Sequence, residues 1–241
     1  MKILKFFFSL VLIIVISGVL IGGYLGFVPG VNQIFGSNKP ISLGEKYSQE
    51  DYDRLIKRNG VEEIKITSNV SVEDSLRYEG QHSFESSITS GEATSMVNDN
   101  PYKYFPFKMV QIRFNPDGSV EASGLVSIDT LFSFVAATGG TKYDLNKVKD
   151  YLKVPLGTIP VYLKASGSIT NNAPSITWQS AKIGRLSVPV DLANKYSSQI
   201  DDFIAERINH VPNLKLEKLE VVDSKLNFKG IIPNKKFFVA K

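Results

Sequence analysis

Few side chains in this 241-residue chain are suited to chemistry. It has no cysteine and only two histidines, His82 and His210. The lack of cysteine excludes disulfides, thiolate metal sites and a thiol nucleophile, because each needs a Cys sulfur. Two histidines leave little room for a histidine-based metal site. The sequence therefore predicts neither a metal nor a cofactor.

The one candidate for acid–base chemistry is His210, which follows Glu206 by four residues. On a helix this spacing places an imidazole and a carboxylate on the same face. The favoured interpretation is different: His210 ends a predicted helix, where a donor or cation meets the free carbonyls. Asp201 and Asp202 are adjacent, so their side chains diverge on a helix and do not form a carboxylate pair.

Catalytic signatures are missing from the sequence. It contains no G-x-S-x-G nucleophile elbow and neither of the two common glycine-rich phosphate loops. We therefore predict that the protein is not an enzyme.

The strongest candidate for ligand contact is the aromatic segment PYKYFPF at residues 101–107. Tyrosine and lysine beside phenylalanine suit a boundary between water and apolar material, such as the mouth of a lipid groove. Phe132 and Phe134 are predicted to form an opposite rim. The alternative is a loop that folds its aromatic rings over the end of a sheet. The predicted ligand-binding residues are Tyr102, Tyr104, Phe105, Phe107, Phe132 and Phe134.

The net charge of +4 is unevenly distributed. Lys2 and Lys5 precede the first apolar run, and residues 211–241 hold seven lysines but no arginine. A nucleic-acid surface usually combines clustered Lys and Arg with aromatic residues for stacking. Here the lysines alternate with acids in a predicted strand, so we predict no nucleic-acid partner.

The first apolar run extends from residue 6 to residue 27, which is 22 residues without a charge. This length suffices to cross a bilayer as a helix, and it exceeds the apolar part of a cleavable signal peptide. The positive-inside rule places Lys2 and Lys5 in the cytoplasm. The pattern predicts a cytoplasmic tail at 1–5, a transmembrane signal anchor at 6–27, and a single-pass protein in the cell membrane whose C-terminal domain lies outside the cytoplasm.

Small residues recur at every fourth position within this run, at Gly18, Gly22 and Gly26. Such a stripe lets a second helix approach closely in lipid. It predicts a helix-packing face for a second copy of the chain or for a membrane-protein partner. Glycine is also common in membrane helices generally, which is the alternative explanation.

The rest of the chain divides into a linker at 28–47, rich in Pro, Gly and Asn, and a domain at 48–241. Ser48, followed by Glu50 and Asp51, predicts the start of a helix that Gly60 closes. Three more helices are predicted at about 90–97, in parts of 129–152, and at 190–209. The last is the clearest, because its apolar residues recur at helical spacing.

Three pairs of alternating segments predict β-hairpins with turns at 115–118, 171–172 and 223–224. The segment DGSVEASGLV at 117–126 aligns without gaps on DSKLNFKGII at 223–232, and VEASGLV also aligns on LKASGSI at 163–169. Each repeat has a glycine inside the strand, which indicates a bulge, a bend or a close approach. Any alternating hairpins that contain a glycine would also align, which is the simpler explanation. The predicted fold class is α+β: a curved antiparallel sheet wrapped around a long helix, the one at 190–209, preceded by one N-terminal transmembrane helix.

The N-terminal run, the NPDGSVEASG and VVDSKLNFKGIIP hairpins, and the helix between VPV and NHVPNLKLEKL resemble bacterial membrane-anchored envelope proteins of the tubular lipid-binding (TULIP) and AsmA-like groups. The resemblance covers about the last 130 residues and the anchor. It implies a curved sheet around a helix, with an apolar groove for an acyl chain. No ligand contact of the family can be carried over, because no defined lipid-binding motif matches.

Two functions follow from these patterns. The first is a non-catalytic, membrane-anchored extracytoplasmic domain that binds a lipid or another apolar envelope component. The second is an envelope interaction or scaffold protein with a packed core and no ligand. An apolar pocket would distinguish the first from the second.

Overall fold

A computed structural model describes residues 2–139 and 157–241, with residues 2–11 as backbone only. The described helices are α1 (Lys2–Leu25), α2 (Val31–Ile34), α3 (Gln49–Asn59), α4 (Ser90–Asn98), α5 (Ile128–Ala137), α6 (Val190–Lys195) and α7 (Ser197–His210). The described strands are β1 (Glu62–Lys65), β2 (Leu76–Glu79), β3 (His82–Ile88), β4 (Phe107–Phe114), β5 (Ser119–Ser127), β6 (Thr158–Thr170), β7 (Ala173–Ile183), β8 (Leu186–Val188), β9 (Lys215–Val222), β10 (Lys225–Ile232) and β11 (Lys235–Phe238).

Eight strands form a curled antiparallel sheet with the shape of a half-barrel. Its main path runs β3-β10-β9-β6-β5-β4, while β7 pairs with the other edge of β6 and β8 pairs with β7. The long strand β6 joins the two parts of the sheet. Its first half pairs with β5, and Ser168–Thr170 pair with β9. Strands β5 and β9 therefore follow one another along a single edge of β6.

A second, three-stranded sheet has the order β1-β11-β2, with β1 parallel and β2 antiparallel to β11. The main buried cluster of the described residues lies where this small sheet meets α5 and the segment at 101–107. It consists of Leu76, Tyr102, Ala137 and Phe238. The aromatic segment thus contributes directly to the core.

The capped helices confirm the predictions made from local signals. Ser48 and Asp51 form a capping box at the start of α3, and Gly60 ends this helix in the left-handed conformation. Helix α4 begins at the predicted Ser90, after a second capping box between Thr89 and Glu92. Helix α5 lies within the predicted helical region at 129–152 apart from its first residue; the part of that region from residue 140 onward lies outside the described residues.

The three predicted hairpins are confirmed as β4-β5, β6-β7 and β9-β10. Two of them have two-residue turns whose residues have positive φ: Asn171 and Asn172 in one, Asp223 and Ser224 in the other. This geometry matches the twist of the adjoining strands, and Asn and Asp adopt it more readily than most residues.

The predicted close approach at the strand glycines is also confirmed. A Cβ on Gly230 would collide with the carbonyl oxygen of Lys215, and the register with β9 shifts between Lys229 and Gly230. A Cβ on Gly167 would collide with the carbonyl oxygen of Ser175. Gly124 faces Val110, beside the register shift in β4. Glycine therefore allows the strands to bend or pack closely at these points.

The predicted long helix inside the sheet is wrong. Residues 190–210 form two helices, α6 and α7, which are separated at Tyr196 and contact β7. The amide of Asn194 donates to the carbonyl oxygen of Trp178 over 3.1 Å and accepts from its backbone N–H over 2.9 Å. This bond pair holds the helices at the edge of β7. Neither helix has a fully buried residue, so the sheet does not wrap around one long helix.

The predicted transmembrane helix is also contradicted. Across residues 2–139 and 157–241, no helix is sufficiently long and apolar to cross a membrane. The predictions of a transmembrane signal anchor and of a single-pass location in the cell membrane, with the C-terminal domain outside the cytoplasm, are therefore wrong.

The end of α1 is part of the folded domain. Ser37 donates a hydrogen bond to the carbonyl oxygen of Gly23 over 2.6 Å, and the backbone N–H of Arg185 donates to the carbonyl oxygen of Leu25 over 3.0 Å. The guanidinium of Arg185 also stacks over the Tyr24 ring at 4.5 Å. Polar groups of the domain thus contact the last turns of the apolar run.

Helix α4 covers the edge of β4 that pairs with no other described strand, and it does so with three side chains at four-residue spacing. Ser90 accepts from the backbone N–H of Phe114, Thr94 bonds both backbone groups of Ile112, and Asn98 bonds both backbone groups of Val110. Four helical residues rise about 6 Å and two strand residues rise about 6.6 Å, so the two repeats match. The helix therefore protects this sheet edge from pairing with another chain.

We expect Thr94→Val to lower the free energy of unfolding by about 2 kcal/mol, because valine leaves the N–H and C=O of Ile112 without the Thr94 hydroxyl. The Thr94 side chain is fully buried, and its hydroxyl accepts from Ile112 N over 3.0 Å. Urea unfolding of the full chain measures the change. Thr94→Ser keeps the hydroxyl and is the matched control; equal losses in both variants would contradict the role of the bond.

Candidate ligand-binding cavity

A cavity of about 330 Å³ lies between α3, the β3-β10 end of the large sheet, the small sheet, α5 and the aromatic segment. We call it the first cavity. Most of its lining side chains are apolar or aromatic: Leu55, Ile56, Val61, Leu76, Phe84, Ile88, Met96, Phe105, Phe134, Val211, Leu214, Phe228 and Ile232. Its volume lies within the range of small-molecule sites, at the lower end.

Simple periodicity explains how these side chains reach the cavity. On α3, residues Tyr52, Leu55, Ile56 and Asn59 recur at helical spacing and form one face. On β3, exposure alternates along the strand, and Phe84 and Ile88 lie on its more buried side. The cavity therefore forms where this face of α3 lies opposite the more buried side of β3.

One ion pair lies in the lining of the first cavity. Glu63 accepts a hydrogen bond from the Tyr52 hydroxyl over 2.8 Å and one from Nζ of Lys236 over 2.7 Å. Burial and the bond to Glu63 both raise the pKa of Tyr52 above its ordinary value. The phenol therefore stays protonated at neutral pH, and the charges of Glu63 and Lys236 offset each other.

The other tyrosines of the lining are neutral as well. Burial, together with the nearby Tyr102 and Glu63, raises the pKa of Tyr78 to about 12. Burial also raises the pKa of Tyr102, although its hydrogen bond to Ser75, 2.7 Å long, acts in the opposite direction. The lining therefore offers an apolar surface with uncharged phenols and one internally neutralised ion pair.

Three of the predicted ligand-binding residues line the first cavity: Tyr102, Phe105 and Phe134. Their rings contact one another, because the ring centroid of Phe134 lies 5.7 Å from that of Phe105 and 6.4 Å from that of Tyr102. Phe134 thus lies on the same wall as the aromatic segment.

Two of the other three predicted residues, Tyr104 and Phe107, lie beside this wall. The Tyr104 ring packs edge-on against Tyr102 at 5.8 Å, and the Phe107 ring packs edge-on against Phe105 at 5.4 Å. Phe132 is partly buried on α5. Tyr104 and Phe107 therefore pack against lining residues without lining the cavity themselves.

The predicted helix-packing glycines have different surroundings. Apart from the neighbouring residues and backbone of its own helix, no described residue has an atom within 4 Å of the position that a Cβ on Gly18 would occupy. A Cβ on Gly22 would lie 2.9 Å from the Val28 side chain. A Cβ on Gly26 would lie 2.9 Å from the carbonyl oxygen of Ser37. Gly22 and Gly26 therefore face residues of their own chain.

Sequence reasoning missed the larger part of the cavity, namely the contributions of α3, β3 and β10. The signals were present: the helical spacing of Tyr52, Leu55 and Ile56, and the alternation that includes Phe84 and Phe228. They indicate buried faces, but they do not show that these faces meet around a shared space.

The two histidines take structural positions. His82 lies on β3, and its ring nitrogens lie 2.7 Å from the Asn59 carbonyl oxygen and 2.7 Å from the Asn234 side-chain oxygen. His210 lies in the last turn of α7, as predicted, while Glu206 pairs with Arg207 over 3.0 Å. Within the described residues, no group of three or more His, Asp or Glu side chains is arranged to hold a metal ion.

Comparisons with models of known protein families, with curated proteins and with solved structures found no match to this chain. Its function must therefore be inferred from the chemistry of its own residues.

Proposed function

We propose that the protein binds one apolar ligand of the acyl-chain type in the first cavity and does not transform it. The observation that carries this proposal is the largely apolar lining of a cavity of about 330 Å³. Transfer of each methylene from water into such a lining contributes about 0.8 kcal/mol. A few buried methylenes therefore suffice for useful affinity.

The polar groups of the cavity favour binding over catalysis. Glu63 is bonded to both Tyr52 and Lys236, so its carboxylate is already engaged with a cation and a hydroxyl. A general base needs a carboxylate or imidazole that reaches a substrate proton. In the part of the chain that the structure describes, the lining of the first cavity contains no histidine and no carboxylate besides Glu63.

Native mass spectrometry of the full chain, purified without detergent, tests this proposal. We expect either a retained lipid mass at one per chain or, after lipid removal, uptake of one oleate per chain. A clean unliganded mass, together with no uptake of a fluorescent fatty acid, would contradict the proposal. That result would favour the alternative of a scaffold with no ligand.

A further inference from the structure

A second cavity, of about 260 Å³, is formed by strands β5, β6, β7, β9 and β10 of the large sheet. Aliphatic side chains dominate its lining, together with Trp178, which is the only tryptophan of the chain. Among the described residues, the buried indole N–H of Trp178 has no hydrogen-bond partner. The proposed function involves only the first cavity and assigns no role to this one.

The strand register places both cavities on the same face of the sheet. Residues directly opposite one another in an antiparallel pair point to the same side. One such row is Ile169, Leu219 and Phe228, which pair across β6, β9 and β10. Ile169 and Leu219 line the second cavity, and Phe228 lines the first.

A neighbouring row repeats this transition one step further along the strands. Val221 pairs with Leu226, and Leu226 pairs with Ile88. Val221 and Leu226 line the second cavity, and Ile88 lines the first. Two adjacent rows of apolar side chains therefore pass directly from one cavity into the other.

The combined surface is long enough for an extended chain. It crosses five strands, from Trp178 on β7 through β6, β9 and β10 to Ile88 on β3. Four steps between strands of about 4.8 Å give about 19 Å. The side chains at the transition, Leu219, Leu226 and Phe228, are all apolar, so these two rows place no polar barrier between the two ends.

We propose that the two cavities act as one trough, which holds a single extended acyl chain running across the strands between the first cavity and Trp178. This inference rests on the proposed function and adds the ligand class: a long, single acyl chain. A short chain such as decanoate fills the first cavity alone. A long chain such as stearate reaches the second.

The single tryptophan makes this placement measurable in the full-length protein. Stearic acids that carry a nitroxide either near the carboxyl end or near the methyl end are bound to the chain, and the fluorescence of Trp178 is recorded. Occupancy is determined independently by native mass spectrometry. At equal occupancy, we expect one label position to quench Trp178 at least about twofold more than the other, because only one end of the chain lies beside the indole.

A substitution that fills part of the second cavity provides the second measurement. Ala165 lines the second cavity opposite Trp178, so Ala165→Leu shortens the trough. We expect it to weaken stearate binding about tenfold and to leave decanoate binding unchanged. Ala173→Leu, at the exposed start of β7, is the matched control and should alter neither affinity.

The outcomes separate the two proposals. Bound stearate with no quenching, or with equal quenching from both labels, would overturn the shared trough while leaving ligand binding intact. An equal loss of decanoate and stearate binding in Ala165→Leu would overturn it too. Failure of every fatty acid to bind would instead contradict the proposed function itself.

Discussion

Replacing Ile56 with tryptophan is expected to weaken the binding of oleate about fiftyfold. Ile56 is partly buried on α3 and lines the first cavity. An indole at this position occupies space that about three methylenes of a ligand would otherwise fill. At about 0.8 kcal/mol for each methylene, the loss is about 2.4 kcal/mol.

Displacement of a fluorescent fatty acid from the full chain measures this affinity. The matched control is Ile64→Trp, because Ile64 is a partly buried isoleucine on β1 that does not line either cavity. We expect the control to bind oleate as the unmodified chain does. Unchanged affinity in Ile56→Trp, with cooperative unfolding retained, would show that ligands bind elsewhere.

The second large effect is expected at Glu92, whose side chain is almost completely buried between α3 and α4. Its two carboxylate oxygens accept from the Arg58 guanidinium over 2.9 and 3.0 Å, and one of them also accepts from the backbone N–H of Thr89. Arg54 adds a contact at 3.5 Å. This carboxylate therefore joins two helices and caps one of them.

We expect Glu92→Gln to lower the free energy of unfolding by about 3 kcal/mol. Hydrogen bonds to charged groups contribute about 1.5 to 3 kcal/mol each, and the neutral amide has only one oxygen to accept them. Urea unfolding gives the value. Glu85→Gln is the control, since the exposed pair of Glu85 with Lys229 should contribute less than about 1 kcal/mol. Similar losses in the two variants would contradict the special role of Glu92.

The same site should make stability depend on pH. Burial alone would raise the pKa of Glu92, but the bonds from Arg58 and Thr89 outweigh it and lower this pKa below the ordinary 4.5. The charged pair therefore stabilises the fold above pH 4.5, and this contribution is lost as the pH falls through the lowered pKa. Urea unfolding measured as the pH falls below 4.5 should show a smaller loss of the free energy of unfolding in Glu92→Gln than in the unmodified chain.

Local structure was predictable because its causes lie within a few residues of one another. The capping box of Ser48 and Asp51 spans three residues, and the turn at Asn171 and Asn172 spans two. Each of these features depends on hydrogen bonds or sterics that the neighbouring sequence already contains.

The aromatic part of the candidate site was also recognisable, because a dense run of Tyr and Phe is unusual on an exposed loop. The other residues that line the cavity were not recognisable from the sequence. Phe84 and Phe228 are separated by most of the domain, yet their rings lie 5.5 Å apart beside the first cavity. Their proximity depends on the pairing of β3 with β10, which no short pattern encodes.

By itself, the sequence determined the hairpins, their turns, the capped helices, the position of His210 at a helix end and the aromatic segment. Only the tertiary structure decided that α6 and α7 pack at the edge of β7, that polar groups of the domain contact the end of α1, and that two apolar cavities share one face. Turns and caps follow from interactions over a few residues. Contacts between residues far apart in the chain decide which strand edge a helix packs on, which residues contact the end of α1, and what shape a cavity has. These features therefore exist only once the whole chain has packed.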